Sequence, residues 1–96
     1  MALHVLATFV ARPETVNQVR PLLVSLVKPI RQDPGCTRCH LVFNHADDTE
    51  MVFVEEWLGH QELDKHLSDA FVAGVVEQVV PLLAQPLVLN RYDVLA

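Results

Sequence analysis

At 96 residues, 51% hydrophobic and 20% charged with three glycines, the chain holds one domain (1–96) and is no disordered tail, collagen-like repeat or disulfide scaffold. A globule of this size buries only about 60–65% of the surface its unfolded chain exposes, so an apolar half points to an oligomer. The net charge of −5 is split, with five basic and two acidic side chains in 1–38 against two basic and ten acidic in 39–96; such scattered cations form no phosphate-binding stripe, and nucleic acid is not an expected partner.

Leu3 to Ala11 is rich in β-branched and aromatic residues and short enough for a strand. Pro13 suits the first turn of a helix. Val16, Val19, Leu22, Leu23, Leu26, Val27 and Ile30 then recur at three- and four-residue spacing, the apolar stripe of an amphipathic helix. Pro21 and Pro29 each remove a backbone donor, which predicts a kink or a break into two pieces. Asp33-Pro34-Gly35 is a turn signal.

Arg38 to His45 and Glu50 to Leu58 read as two strands joined by a turn over Ala46-Asp47-Asp48-Thr49. Along the second of them Met51, Phe53, Glu55 and Trp57 share one face, and Val52, Val54, Glu56 and Leu58 the other. A helix is expected from about Gln61 to Leu67 and a valine-rich one from Ala70 to Ala84, capped by Ser68 or Asp69. So many β-branched residues leave a strand as the alternative for that last segment. Leu87 to Val94 closes the chain as a strand. The order β-α-β-β-α-β is the ferredoxin-like α+β pattern. Helices there cover one sheet face; the other face, also apolar, is expected to meet its counterpart in a second copy.

No apolar run approaches the ~18 residues of a membrane span. The apolar N-terminus lacks the basic region and cleavage site of a signal peptide, and two cysteines without such a signal point to the reducing cytoplasm.

The Cys36-Thr37-Arg38-Cys39 run follows a helix and opens a strand, whereas a redox pair needs a thiolate at a helix N-terminus. As a metal site it lacks a second ligand pair, so no metal is expected and the cysteines read as small core residues. Among five histidines His66 differs, lying beside Leu63 and Leu67 on the inward helix face, as a core residue or a base. Glu55 shares its strand face with Phe53 and Trp57, where an unpaired carboxylate is costly. An imidazole is the expected partner, raising the histidine's pKa and setting its tautomer. Glu56, opposite, is the alternative structural carboxylate, pairing across a dimer interface.

The Pro34-Gly35-Cys36 run, the Glu55-x-Trp57 strand end and the Leu63-x-x-His66-Leu67 helix, in this order and spacing, resemble the antibiotic biosynthesis monooxygenase family. The likeness runs from Leu3 to Arg91-Tyr92-Asp93-Val94 and is more specific for the fold than for the reaction. It implies a homodimeric α+β barrel with an apolar pocket between sheet and helices. It further implies oxygenation of a small aromatic phenol or hydroquinone by O₂ without a cofactor. On that reading His66 takes or relays the phenolic proton and Glu55 orients it, while Trp57, Phe53 and Phe43 wall the pocket. Cys39 stands where many relatives carry Tyr, and Phe71-Val72 where many carry His-Phe, which removes polar groups from the expected pocket rim. The alternatives are an isomerase or apolar-ligand binder using the same pocket, or a structural dimerisation module. Sparse basic residues argue against a phosphorylated ligand, and the absence of asparagine from the first strand argues against haem degradation.

Overall fold

A computed structural model describes residues 2–96. Its elements are β1 (Leu3–Val10), α1 (Val16–Gln32), β2 (Cys36–Asn44), β3 (Asp47–Trp57), α2 (His60–Leu67), α3 (Ala70–Val79), a short 3₁₀ turn (Val80–Leu82) and β4 (Val88–Tyr92). The strands form one antiparallel sheet in the order β2-β3-β1-β4, the ferredoxin-like arrangement. Alternation along β1 and β3 puts Leu3, Val5, Ala7 and Phe9 beside Met51, Phe53, Glu55 and Trp57 on a single buried face. Against that face pack Val19, Leu23, Leu26 and Ile30 of α1, Leu63 of α2, and Val72, Val75 and Val79 of α3.

Helix α1 is one unbroken helix of 17 residues that contains both prolines, which corrects the expected break into two pieces. Pro21 and Pro29 lie on its exposed side, as do Asn17 and Ser25, whose carbonyls lose their helical donors. Carbonyls on an exposed helix side can turn to solvent, and the buried stripe of Val16, Val19, Leu23, Leu26 and Ile30 runs the length of the helix. The valine-rich segment is a helix because Val72, Val75 and Val79 recur on its buried side and because Asp69 caps it, accepting from the N–H groups of Phe71 and Val72 at 3.1 Å each. It ends at Val79 rather than Ala84, since Pro81 has no N–H to continue the α-helical ladder and the chain tightens into the 3₁₀ turn.

The β2–β3 turn falls at 45–46, earlier than the expected 46–49. Asp47 to Thr49 already belong to β3, where Asp47 accepts from the backbone N–H and the hydroxyl of Thr49 at 3.1 and 2.6 Å. The register shifts between the Phe43–Met51 and Asn44–Asp47 pairs, so Asp48 to Glu50 bulge from the β2 ladder at the hairpin end. At the same end of the sheet, where Val10 pairs with Glu50, the Arg12 guanidinium donates to the carbonyls of Pro81 and Leu83, 3.2 Å each, and the Thr15 hydroxyl to that of Leu82 at 2.6 Å. These bonds tie the start of α1 to the segment leading into β4. No helix among the described residues is long and apolar enough to cross a membrane.

Candidate active site

Between sheet and helices lies a cavity of about 60 Å³, several times the ~10–15 Å³ that one water needs. Its lining includes Phe9, Phe53, Leu26, Ile30, Leu63 and Val76; among the described residues Glu55 and His66 are the only polar ones that line it. Strand alternation brings Glu55 in from β3. His66, three residues after buried Leu63 on α2, comes in from the opposite side.

Both ionisable groups are 6% exposed, and burial moves each toward its neutral form. The Glu55 carboxyl is pushed up by desolvation, opposed by a hydrogen bond from Trp57. The His66 imidazole is pushed down by desolvation, opposed by the negative charges of Asp33 and Asp69. This corrects the expected Glu55–His66 pair that would raise the histidine. The Glu55 carboxylate instead accepts the indole N–H of Trp57 at 2.6 Å, and the carboxylate nearest His66 is Asp33, whose Oδ2 lies 3.9 Å from Nδ1. Trp57 and Glu55 stand two residues apart on one strand face, so the indole reaches the carboxylate before any group from a helix can.

Trp57 is fully buried, with its ring centroid 4.6 Å from that of His66 and the planes 35° apart. It thus lies behind the two polar groups and holds both, without itself lining the cavity. Cys39 is likewise buried behind Glu55, its partner across the β2–β3 ladder. Burial, reinforced by the Glu55 charge, pushes its thiol up to about 12, and desolvation also raises Cys36. Both are therefore kept as thiols, the reverse of a reactive pair.

Phe53 lines the cavity; Phe43 and Phe71 do not. Phe43 shares the face of Met51 but sits on edge strand β2, 61% exposed, under the Arg20 guanidinium at 5.8 Å. Phe71 is exposed at the start of α3, and its neighbour Val72 reaches the cavity instead. Glu56, on the open face, finds partners within its own chain: Arg38 Nε at 3.3 Å and His4 Nε2 at 3.5 Å.

Sequence reasoning missed Asp33 as a neighbour of the site, reading it only as a turn residue. The turn is what places it. Asp33 Oδ1 accepts the N–H of Gly35 at 2.9 Å, which leaves Oδ2 toward His66. Gly35 is there because α2 passes close by: a Cβ at this position would stand 2.6 Å from Cβ of Glu62.

An antiparallel ferredoxin-like sheet, helices on one face, and an apolar cavity carrying one imidazole and one carboxyl define a class of small α+β proteins with a site between sheet and helices. The sequence profile of the antibiotic biosynthesis monooxygenase family matches residues 2–78, and the chain belongs to that family. Rv0793 of Mycobacterium tuberculosis, provisionally named a monooxygenase, is 32% identical over 82 residues, 85% of this chain and 80% of that protein. Its solved structure superposes with a TM-score of 0.93 at 26% identity, over 100% of this chain and 97% of its own. A crystal structure described as an antibiotic biosynthesis monooxygenase gives a TM-score of 0.93 at 29% identity over 98% of this chain and 99% of its own. A conserved protein from Methanosarcina mazei Go1, at 22% identity, shares the fold with a TM-score of 0.90, over 96% of this chain and 91% of its own.

Proposed function

We propose that this protein is a cofactor-independent monooxygenase that oxidises a small phenol or hydroquinone with O₂ in the cavity between sheet and helices. The observation that carries this reading is the pair of polar residues, Glu55 and His66, in an otherwise apolar lining. A planar ring fits apolar walls, and its hydroxyl needs polar partners at one end only.

His66 is the base. Its lowered pKa leaves the imidazole neutral at neutral pH and able to accept the phenolic proton. The electron-rich phenolate passes one electron to O₂, and the radical pair then combines at a ring carbon. One oxygen atom stays on the ring as a carbonyl and the other leaves as water. For a phenol converted to a quinone, all four electrons come from the ring, so no outside reductant is needed. The apolar lining that surrounds the bound ring would keep water from the radical pair. Glu55, one oxygen held by Trp57, offers its other oxygen as the second polar anchor for a ring hydroxyl.

The same reading includes a homodimer joined through the open sheet face, in the cytoplasm. Leu6, Val42, Val54, Val88 and Tyr92 stand on that face with 36–45% of their surface exposed, an apolar area that a second copy would cover.

Oxygen uptake with a panel of phenols and hydroquinones, comparing the wild type with His66→Ala, tests the activity. The expected loss is about 10²- to 10⁴-fold. Equal rates for the two proteins overturn the assignment of His66, and no uptake by the wild type on any substrate of the panel overturns the oxygenase reading.

A further inference from the structure

His66 borders two spaces. One is the apolar cavity; the other is an outer cleft of about 240 Å³ lined by Pro29, Gln32, Asp33, Pro34, His66, Asp69 and Val72. His66 and Val72 belong to both linings and form the partition between them. Nδ1 of His66 faces outward, 3.9 Å from Oδ2 of Asp33, and Asp33 is held in place by its bond to the Gly35 N–H.

We propose that Asp33 is the positioning residue for His66, keeping the Nδ1 proton on the outer side so that Nε2 accepts the substrate's proton in the cavity, with the outer cleft as the exit. The proposal rests on the proton-accepting role given to His66 above. In the step, the substrate O–H bond breaks and an Nε2–H bond forms, which leaves a phenolate inside and an imidazolium in the partition. The Asp33 carboxylate, at ion-pair distance, stabilises that cation. The Nδ1–H bond then breaks and the proton passes by way of Asp33 to solvent in the cleft; when the Nε2 proton goes to the oxygen that leaves as water, Nδ1 takes a proton back from the Asp33 side, which restores the starting tautomer. Without a charge on the outer side, the cation would form in a site that burial already makes hostile to it.

The groups facing His66 from the elements around it are few. Asp33 comes from the end of α1, Asp69 from the α2–α3 junction, and Glu55 from β3 across the cavity, where Trp57 holds it; Lys65, beside it on α2, is exposed. Both carboxylates favour the imidazolium, and among the described residues Asp33 is the one whose carboxylate stands within 4 Å of a His66 ring nitrogen.

The test is an NMR titration of the His66 ring in the ligand-free protein, for the wild type, Asp33→Asn and Asp69→Asn. Asparagine keeps an acceptor oxygen for the Gly35 N–H in one case and for the helix cap in the other, so both variants retain their turns. The expected result is a downward shift of the His66 midpoint in Asp33→Asn that exceeds the shift in Asp69→Asn. With a hydroquinone that the wild type oxidises, Asp33→Asn is expected to lower kcat about tenfold or more with KM little changed, and to move the acidic limb of the pH–rate profile downward. An unshifted His66 midpoint in Asp33→Asn, or a larger shift in Asp69→Asn, overturns the proposal whatever the rates. Absence of any turnover by the wild type overturns the oxygenase reading, and the titration separates that failure from a failure of the Asp33–His66 coupling.

Discussion

The Trp57 indole donates to the Glu55 carboxylate at 2.6 Å from two residues further along the same strand face. A carboxyl group buried among Phe53, Leu63 and Cys39 thus receives its donor from its own strand, and the same indole lies against the ring of His66. One side chain therefore sets both polar groups of the cavity.

Replacing Trp57 with Phe keeps a ring in the core but withdraws the N–H. The buried carboxyl loses its partner, and the expected cost is about 1–3 kcal/mol beyond the loss of packing. In the background of Glu55→Leu, which has no acceptor to orphan, Trp57→Phe is expected to cost less by at least about 1 kcal/mol. Urea midpoints of the four proteins give the coupling, and additive effects count against it.

Glu55, with a raised pKa in the folded state, binds its proton more tightly there than in the unfolded chain. Its contribution to stability is complete below the unfolded carboxyl value near 4.5 and is lost as pH rises through the folded value. Glu55→Gln, which keeps an oxygen for Trp57, is therefore expected to gain stability relative to the wild type between pH 4.5 and 7.5. A stability difference that stays constant over this range contradicts it.

His66 has the opposite sign. Its folded pKa is lowered, so the unfolded chain binds the proton more tightly. The stability held by the neutral ring is complete above the unfolded value near 6.5 and is lost as pH falls through the folded value. Between pH 7.5 and 5 the wild type is expected to lose stability relative to His66→Gln. Thermal midpoints at the two pH values decide, and four other histidines in the chain make the difference between the two proteins the quantity to follow.

Gly35→Ala forces a Cβ to within 2.6 Å of the Glu62 Cβ, and overpacking of this kind is expected to cost about 1–3 kcal/mol. Glu62→Ala keeps the clashing atom and should not relieve it. Glu62→Gly removes that atom and should recover part of the loss, after allowance for the ~1 kcal/mol that glycine costs within a helix. Relief by alanine as well would place the conflict further out on the Glu62 side chain.

The homodimer reading predicts that Val54→Asp, on the open sheet face, lowers the mass measured by sedimentation from twice 10.8 kDa to that of one chain, with the circular dichroism unchanged. A wild type that sediments as a monomer at every concentration removes the dimer from the proposal.

Periodicity alone shows which way many of these side chains point. The two-residue alternation from Met51 to Trp57 puts Glu55 on the buried face, and the Leu63–His66–Leu67 spacing turns His66 inward, because each pattern follows from the geometry of a single strand or helix. The same reasoning misplaces Phe43, since alternation assigns a face but says nothing of whether a strand lies at the sheet's edge, where β2 leaves that ring exposed. It also predicts a kink or break of α1 at its prolines, and the helix is unbroken because the cost of a proline depends on whether the freed carbonyls face solvent or core. Which group holds the buried carboxylate, and that a turn aspartate 33 residues from His66 in sequence stands beside its ring, depend on distances between separate elements. Those distances are set by the packing of α1, α2 and β3 around one core, and no local spacing in the chain encodes them.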